Sequence, residues 1–278
     1  MLFRSDESDE CLPDIRVDVE AGTRWAGTRW FLMNEPYRIC KRLGNATTQT
    51  FNDSEYCLAF YQDVRPNPDV SLLLEGDKTL TNFVSVVDNQ STGKSELGGY
   101  TTNSTPSFTG PISITKPVLT VTANTNSTVT FSGEMSGTVG ISKVGAGDVV
   151  LSPSDANLSV TNLAVASGRL SINSALLAPG VDVAEFVYGG GESATLELTG
   201  DVDLSGWTLT VTGLYRPERG ATELPAPFTI SVASAGGTVS GQPTIRLLGA
   251  PTGWSADALG GNVWRVTYRK PGITIVFR

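Results

Sequence analysis

From about residue 108 onward, apolar and polar positions alternate in short runs divided by Gly, Ser, Asn or Pro, and no segment holds a helical period. The runs resemble one another. VTFSG (Val129 to Gly133), VVLSP (Val149 to Pro153), LSINS (Leu170 to Ser174), LELTG (Leu196 to Gly200) and LTVTG (Leu209 to Gly213) share one order: apolar, any residue, apolar, small polar, turn former. Their starts lie 20, 21, 26 and 13 residues apart. The first steps match the length of one coil of a right-handed parallel β-helix. The pattern therefore predicts an all-β chain whose main part, residues 106–278, is such a solenoid.

The coil explains the composition. Each turn lays short strands over those of the turn below, about 4.7 to 4.9 Å away, so backbone groups pair along the stack. Inward aliphatic side chains fill a narrow continuous core, and glycine or small polar residues take the corners, where the backbone bends sharply. One coil buries too few side chains, at about 1.5 to 3 kcal/mol each, to offset its own ordering, so neighbouring coils are obligatory. In ISKVGAGDVVLS (Ile141 to Ser152) this predicts Ile141, Val144, Val149 and Leu151 pointing inward, with Gly145-Ala146-Gly147 as the corner.

The same stretch carries a resemblance. GEMSGTVGISKVGAGDVVLS and NLAVASGRLSIN (Gly133 to Ser152, Asn162 to Asn173) are similar to the autotransporter-associated β-strand repeat, also called the passenger-associated transport repeat. Lys143, Gly145, Gly147, Val149, Leu151 and Ser152 fall on its first block, and Val165, Gly168, Leu170 and Ile172 on its second. Between the blocks the family's Asn-x-Tyr-x-Gly turn is replaced by SPSDANLSVTN, without tyrosine or glycine. The resemblance covers some 40 residues, and more loosely the tail from Thr208. It implies a secreted or surface-displayed bacterial β-helix, a stalk or passenger, with no chemistry of its own.

The first part of the chain has a different texture. Residues 1–105 contain Cys11, Cys40 and Cys57, the acidic run Asp6 to Glu10, and a tandem AGTRW at Ala21 to Trp30. Alternation at Ile15 to Val19 and Phe83 to Val87 predicts strands, and the segment reads as a small β-rich domain of unassigned role. The polar run Gly98 to Ser107 reads as its linker. At the other end, VWRVTY (Val263 to Tyr268) and ITIVFR (Ile273 to Arg278) flank RKPG, which predicts a capping hairpin with Trp254 and Trp264 as its apolar plug.

Charge and chemistry narrow the function. The chain of 278 residues has a formal net charge of -8, and clustered Lys and Arg for phosphate contacts are missing, which argues against nucleic acid as a partner. Its weakly charged, Thr-rich composition suits an extracellular or bacterial cell-surface setting, although MLFRSDESDE shows no apolar core of a signal peptide. No run approaches the roughly 20 apolar residues of a membrane span. The absence of histidine rules out a Ser-His-Asp triad and a Cys/His metal site. TGKS at Thr92 to Ser95 lacks the first glycine of a phosphate loop, since Asp88 stands there.

What remains is a short set of ligand candidates. Asp201 and Asp203 alternate on one strand and could serve a cation or a glycosidase pair, although aspartates so placed more often flank a turn. Tyr188, Trp207 and Tyr215 lie near glycine-rich turns, where a flat ring can stack on a sugar or, more often, fill a core or cap. No metal or other cofactor is expected. The sequence favours a non-enzymatic structural or adhesive β-helix, with glycans, other surface proteins or its own copies as partners. The alternatives are a carbohydrate-binding or carbohydrate-cleaving β-helix and a self-assembling filament subunit.

Overall fold

The computed structural model describes residues 70–87, 94–190, 192–218 and 221–270, together with the backbone of three earlier strands. Those are β1 (Ile15–Val19), β2 (Thr28–Met33) and β3 (Cys57–Gln62). The chain then winds into a β-solenoid of about six turns. Coil one holds β4 (Val70–Leu74), β5 (Thr79–Leu80) and β6 (Phe83–Val87), and coil two β7 (Ser95–Gly99), β8 (Ser107–Phe108) and β9 (Ile112–Ile114). Coil three begins with β10 (Val118–Ala123) and β11 (Thr128–Phe131). Its third side is the first half of β12 (Met135–Val144), whose second half opens the next coil. β13 (Asp148–Leu151), β14 (Ala156–Val165) and β15 (Gly168–Ile172) repeat that course. A short 3-10 turn at Ser174–Leu176 follows, then β16 (Val183–Val187), β17 (Ser193–Thr199), β18 (Val202–Asp203) and β19 (Thr208–Thr212). The last coil holds β20 (Phe228–Ala235), β21 (Val239–Ser240) and β22 (Thr244–Leu247), and β23 (Trp254–Gly260) and β24 (Val263–Tyr268) close the described chain.

Three faces result. The first stacks β4, β7, β10, β12, β14, β16, β19 and β22 in parallel, with β1 antiparallel on its lower edge. The second stacks β5, β8, β11, β13, β15, β17 and β20 in parallel. The third begins with β3, β6 and β9 under the leading halves of β12 and β14, and ends in the separate pair β18–β21.

Register turns the alternating sequence into vertical rows. On the second face Val129, Val149, Leu170, Leu196 and Val232 stand in one column, and Phe108, Phe131, Leu151, Ile172 and Leu198 in the next. All of them are buried, and the rings of Phe108 and Phe131 stack at 4.6 Å with 8° between planes. Four of the five similar runs are thus successive rungs of one face. The fifth, LTVTG, belongs to the first face, where Leu209 stacks on Ala184 and Ile245. The next rung above Leu196 is Val232, 36 residues on, because residues 213–227 form a long insertion before β20.

Several expectations change in detail. Gly98 to Ser107 is a corner between β7 and β8, tied down by Asn124 Nδ2 donating to the Tyr100 carbonyl at 2.6 Å and Thr105 N–H to Asp77 Oδ1 at 2.6 Å. The solenoid sheets therefore run across residue 105, since β7 pairs in register with β10 and β5 with β8. Val144 does not point into the core; Lys143 does. Alternation starting from Ile141 sends 143 inward, and the ammonium finds acceptors at the corner just beyond. The segment that lacks the family's turn, Ser152 to Asn162, runs into β14, a ten-residue strand that turns the corner by a bulge, with Val139 against Val160 but Gly140 against Asn162.

Among the described residues the cap is built on β24. β24 pairs antiparallel with β20 on one side and with β23 on the other, the β23–β24 turn running through Gly261 and Asn262 at positive φ. The expected hairpin partner, Ile273 to Arg278, lies outside the described residues, as do Cys11, Cys40 and the TGKS glycine. Trp264 is buried opposite Ile230, while Trp254 pairs with Tyr268.

Candidate functional site

Two places gather unusual side chains. The first is the corner after β12. Lys143 stands in a core column, with Val121 below it and Val165 then Phe186 above. It is fully buried. Its Nζ donates to the carbonyls of Val144 at 2.8 Å and Gly145 at 2.6 Å, and to that of Ser167, one coil above, at 3.0 Å. Burial pulls its pKa down from 10.5 to about 8, while Asp148 and Glu192 act in the opposite direction. The glycines complete the corner: Gly145 has φ +78°, and a Cβ on Gly168 (φ +65°) would stand 2.2 Å from the Gly147 carbonyl oxygen. Of the motif residues singled out, Gly145, Gly147 and Gly168 make this corner, and Val149, Leu151, Leu170 and Ile172 are core. The arrangement is a structural pin, since every Nζ hydrogen is spent on a carbonyl.

The second place is the root of the 213–227 insertion. Tyr188 and Tyr215 come together with ring centroids 6.0 Å apart, and Tyr188 meets Trp254 edge-on at 5.2 Å and Phe228 at 5.7 Å. Trp254 continues to Tyr268 at 5.5 Å. Two hydrogen bonds fix the insertion to the body: Tyr188 Oη donates to the Ala226 carbonyl at 3.1 Å, and Trp254 Nε1 to that of Tyr215 at 2.9 Å. Burial pushes the Tyr188 phenol above its ordinary value. Tyr188 is 6% exposed and Tyr215 52%, so the outer ring rests on a rigid inner one.

The remaining candidates stay apart from this cluster. Trp207 is half-buried against the core at the start of β19, its carbonyl accepting from Thr244 N–H at 2.8 Å. Asp201 Oδ1 accepts the N–H and the hydroxyl of Thr238, both at 2.9 Å, and Asp203 Oδ1 accepts from Ser205 N–H at 2.9 Å. These bonds hold both exposed carboxyls below the usual range. Each aspartate thus braces a turn of its own. Among the described residues no group of three or more Cys, Asp or Glu could hold a metal ion. An open cleft of about 270 Å³ at the break in the third face is lined by Thr161, Asn162 and residues 178–183, with Asp182 its one ionisable group.

Sequence reasoning named Tyr188, Trp207 and Tyr215 as separate candidates and assigned Trp254 to the cap; the structure joins Tyr188, Tyr215 and Trp254 and leaves Trp207 apart. The missed signal was the 36-residue interval from Leu196 to Val232, which marks an excursion that needs anchoring rings. Compared with protein-family models, curated proteins and solved structures, the chain matches none of them.

Proposed function

We propose that this chain is a secreted or cell-surface bacterial β-helix with a structural or adhesive role, similar to an autotransporter passenger. The observation that carries the reading is the column containing Lys143. A repeat-like lysine and glycine pattern, matched on the sequence alone, has a mechanical purpose here: it clamps one coil to the next. The outer wall fits a stalk as well. Its positions are mostly Ser, Thr and Asn, linked rung to rung by contacts such as Thr195 to Ser231 and Thr79 to Ser107. Binding then belongs to projecting loops, which a rigid scaffold holds in place. Chemistry is not part of this reading, because the two aspartates that could have formed a cutting pair are committed to separate turns.

The exposed Tyr215 ring on its aromatic base favours a second, compatible reading, in which the insertion contacts glycans. A polysaccharide array scored for both binding and new reducing ends tests the two together, with Tyr215→Ala as the control. Binding without cleavage, lost in the variant, supports adhesion; release of sugar overturns the structural reading. Surface labelling of intact producing cells tests location. Labelled chain is the expected result, and chain found only inside the cells refutes it.

A further inference from the structure

The first face has two ends, β1 and β22. Among the described residues β4 is the strand paired with β1, and β19 the strand paired with β22. Thr244 and Leu248 donate their N–H groups toward the lower coil, to the carbonyls of Trp207 and Val211, both within 2.9 Å. Alternation turns the N–H groups of Ile245 and Leu247 the other way, along an edge that can accept another strand. On the second face the coil strand β20 is covered at this end, because the antiparallel β24 and then β23 continue the sheet beyond it, with β23 as its edge.

Charge is divided along the same axis. After residue 205 the chain has seven Lys or Arg against three Asp or Glu, whereas up to that point it has 13 against 25. A single row of register positions shows the division strand by strand. It runs Asp18, Ser71, Glu96, Thr120, Ser142, Ala164, Glu185, Thr210, Arg246. The neighbouring row starts at Val17 and ends at Leu247. One end of the face therefore offers an acidic position flanked by an apolar one. The other offers an exposed arginine flanked by half-buried leucine.

We propose that copies of this chain associate end to end, the β22 edge of one pairing antiparallel with β1 of the next. The contact continues the first face across the junction and places Arg246 of one copy beside Asp18 of the other. Opposite charges at facing positions favour this register, and the long-range attraction of a basic end for an acidic end speeds encounter. The contact is heterologous, so each added copy leaves a free edge, and a filament rather than a closed dimer follows. The inference is independent of what the loops bind.

Sedimentation velocity of the full chain over a wide concentration range, at low and high salt, tests it. Mass should rise with concentration and fall back with salt. Arg246→Asp and Asp18→Arg should each raise the concentration needed for association by about tenfold or more, with circular dichroism unchanged. The two variants mixed should recover long assemblies in which they alternate, because both junctions between unlike variants set an acidic position against a basic one, and the doubly swapped chain should form long assemblies on its own. If Asp18→Arg fails to fold, Leu247→Pro blocks the β22 edge without removing a bond to β19 and should give a monomer. A wild-type chain that stays a single copy throughout, or association indifferent to both charge reversals, overturns the proposal.

Discussion

Lys143 and Ser167 occupy the same corner one coil apart, and the lysine Nζ donates to the Ser167 carbonyl oxygen at 3.0 Å. A cation in an aliphatic column is costly unless its hydrogens are all taken, and here Val144 and Gly145 take the others. The pH dependence follows from the direction of the shift. The folded-state pKa, about 8, is depressed from 10.5, so above pH 8 the unfolded chain binds more protons than the folded one and stability rises with pH. Relative to Lys143→Met, the wild type should gain on the order of 3 kcal/mol between the two pKa values. Urea titrations of both proteins at neutral pH and above pH 10 measure the difference, in which all other titrating groups cancel; equal slopes would mean that the ammonium is not buried.

Leu170 is fully buried between Val149 and Leu196. Truncation to Ala should cost about 2 to 5 kcal/mol, the usual range for an aliphatic side chain removed from a packed core. Leu170→Asp should do more, abolishing the cooperative transition, because nothing in that column can pair a carboxylate. Thermal melts followed by circular dichroism distinguish the two outcomes. An unchanged melting curve for the aspartate variant would contradict the register of the second face.

Arg169 gives a contrasting case on the outer wall. Its guanidinium reaches Asp148 at 2.8 Å on the rung below and Glu197 at 3.4 Å near the rung above, and its side chain is 46% exposed. Exposed pairs contribute little, so Arg169→Ala should cost less than about 1 kcal/mol, and the loss should vanish in high salt. Denaturation midpoints at two ionic strengths suffice to check both statements.

Much of the second face was visible in the sequence because its rungs use the simplest code. Val129, Val149, Leu170 and Leu196 recur with nearly one coil between them, and each opens the same apolar, polar, apolar run. The first face was harder to read. Its columns mix Leu97, Lys143, Ala184 and Phe186, and a lysine at a core position breaks any hydropathy pattern until its corner acceptors are known. The Gly98 to Ser107 segment read as a linker because small polar residues serve connectors and solenoid corners alike; only the bonds to Asp77 and Asn124 decide. In the same way, Asp201 and Asp203 were candidates by spacing. Asp203 makes the local turn contact to Ser205 that such a spacing favours, whereas the Asp201 bond to Thr238, 37 residues away, depends on a stacking the sequence does not specify.

Two glycines at similar φ separate backbone strain from close packing between coils. Gly168 (φ +65°) lies with its missing Cβ position 2.2 Å from the Gly147 carbonyl oxygen, whereas at Gly180 (φ +83°) nothing lies within 4 Å. Alanine at Gly180 meets only the left-handed conformation, a cost of about 1 to 2 kcal/mol. Alanine at Gly168 meets that cost and must also push one coil away from the next, which disturbs the Lys143 corner on the same level. Gly168→Ala should therefore lower stability clearly more than Gly180→Ala, by a further 1 to 3 kcal/mol or about that. It should also raise hydrogen exchange at the amides of Gly147 and Arg169, which bond to the Ala123 and Gly147 carbonyls. Equal losses in the two variants would show that the coils do not approach so closely at this corner.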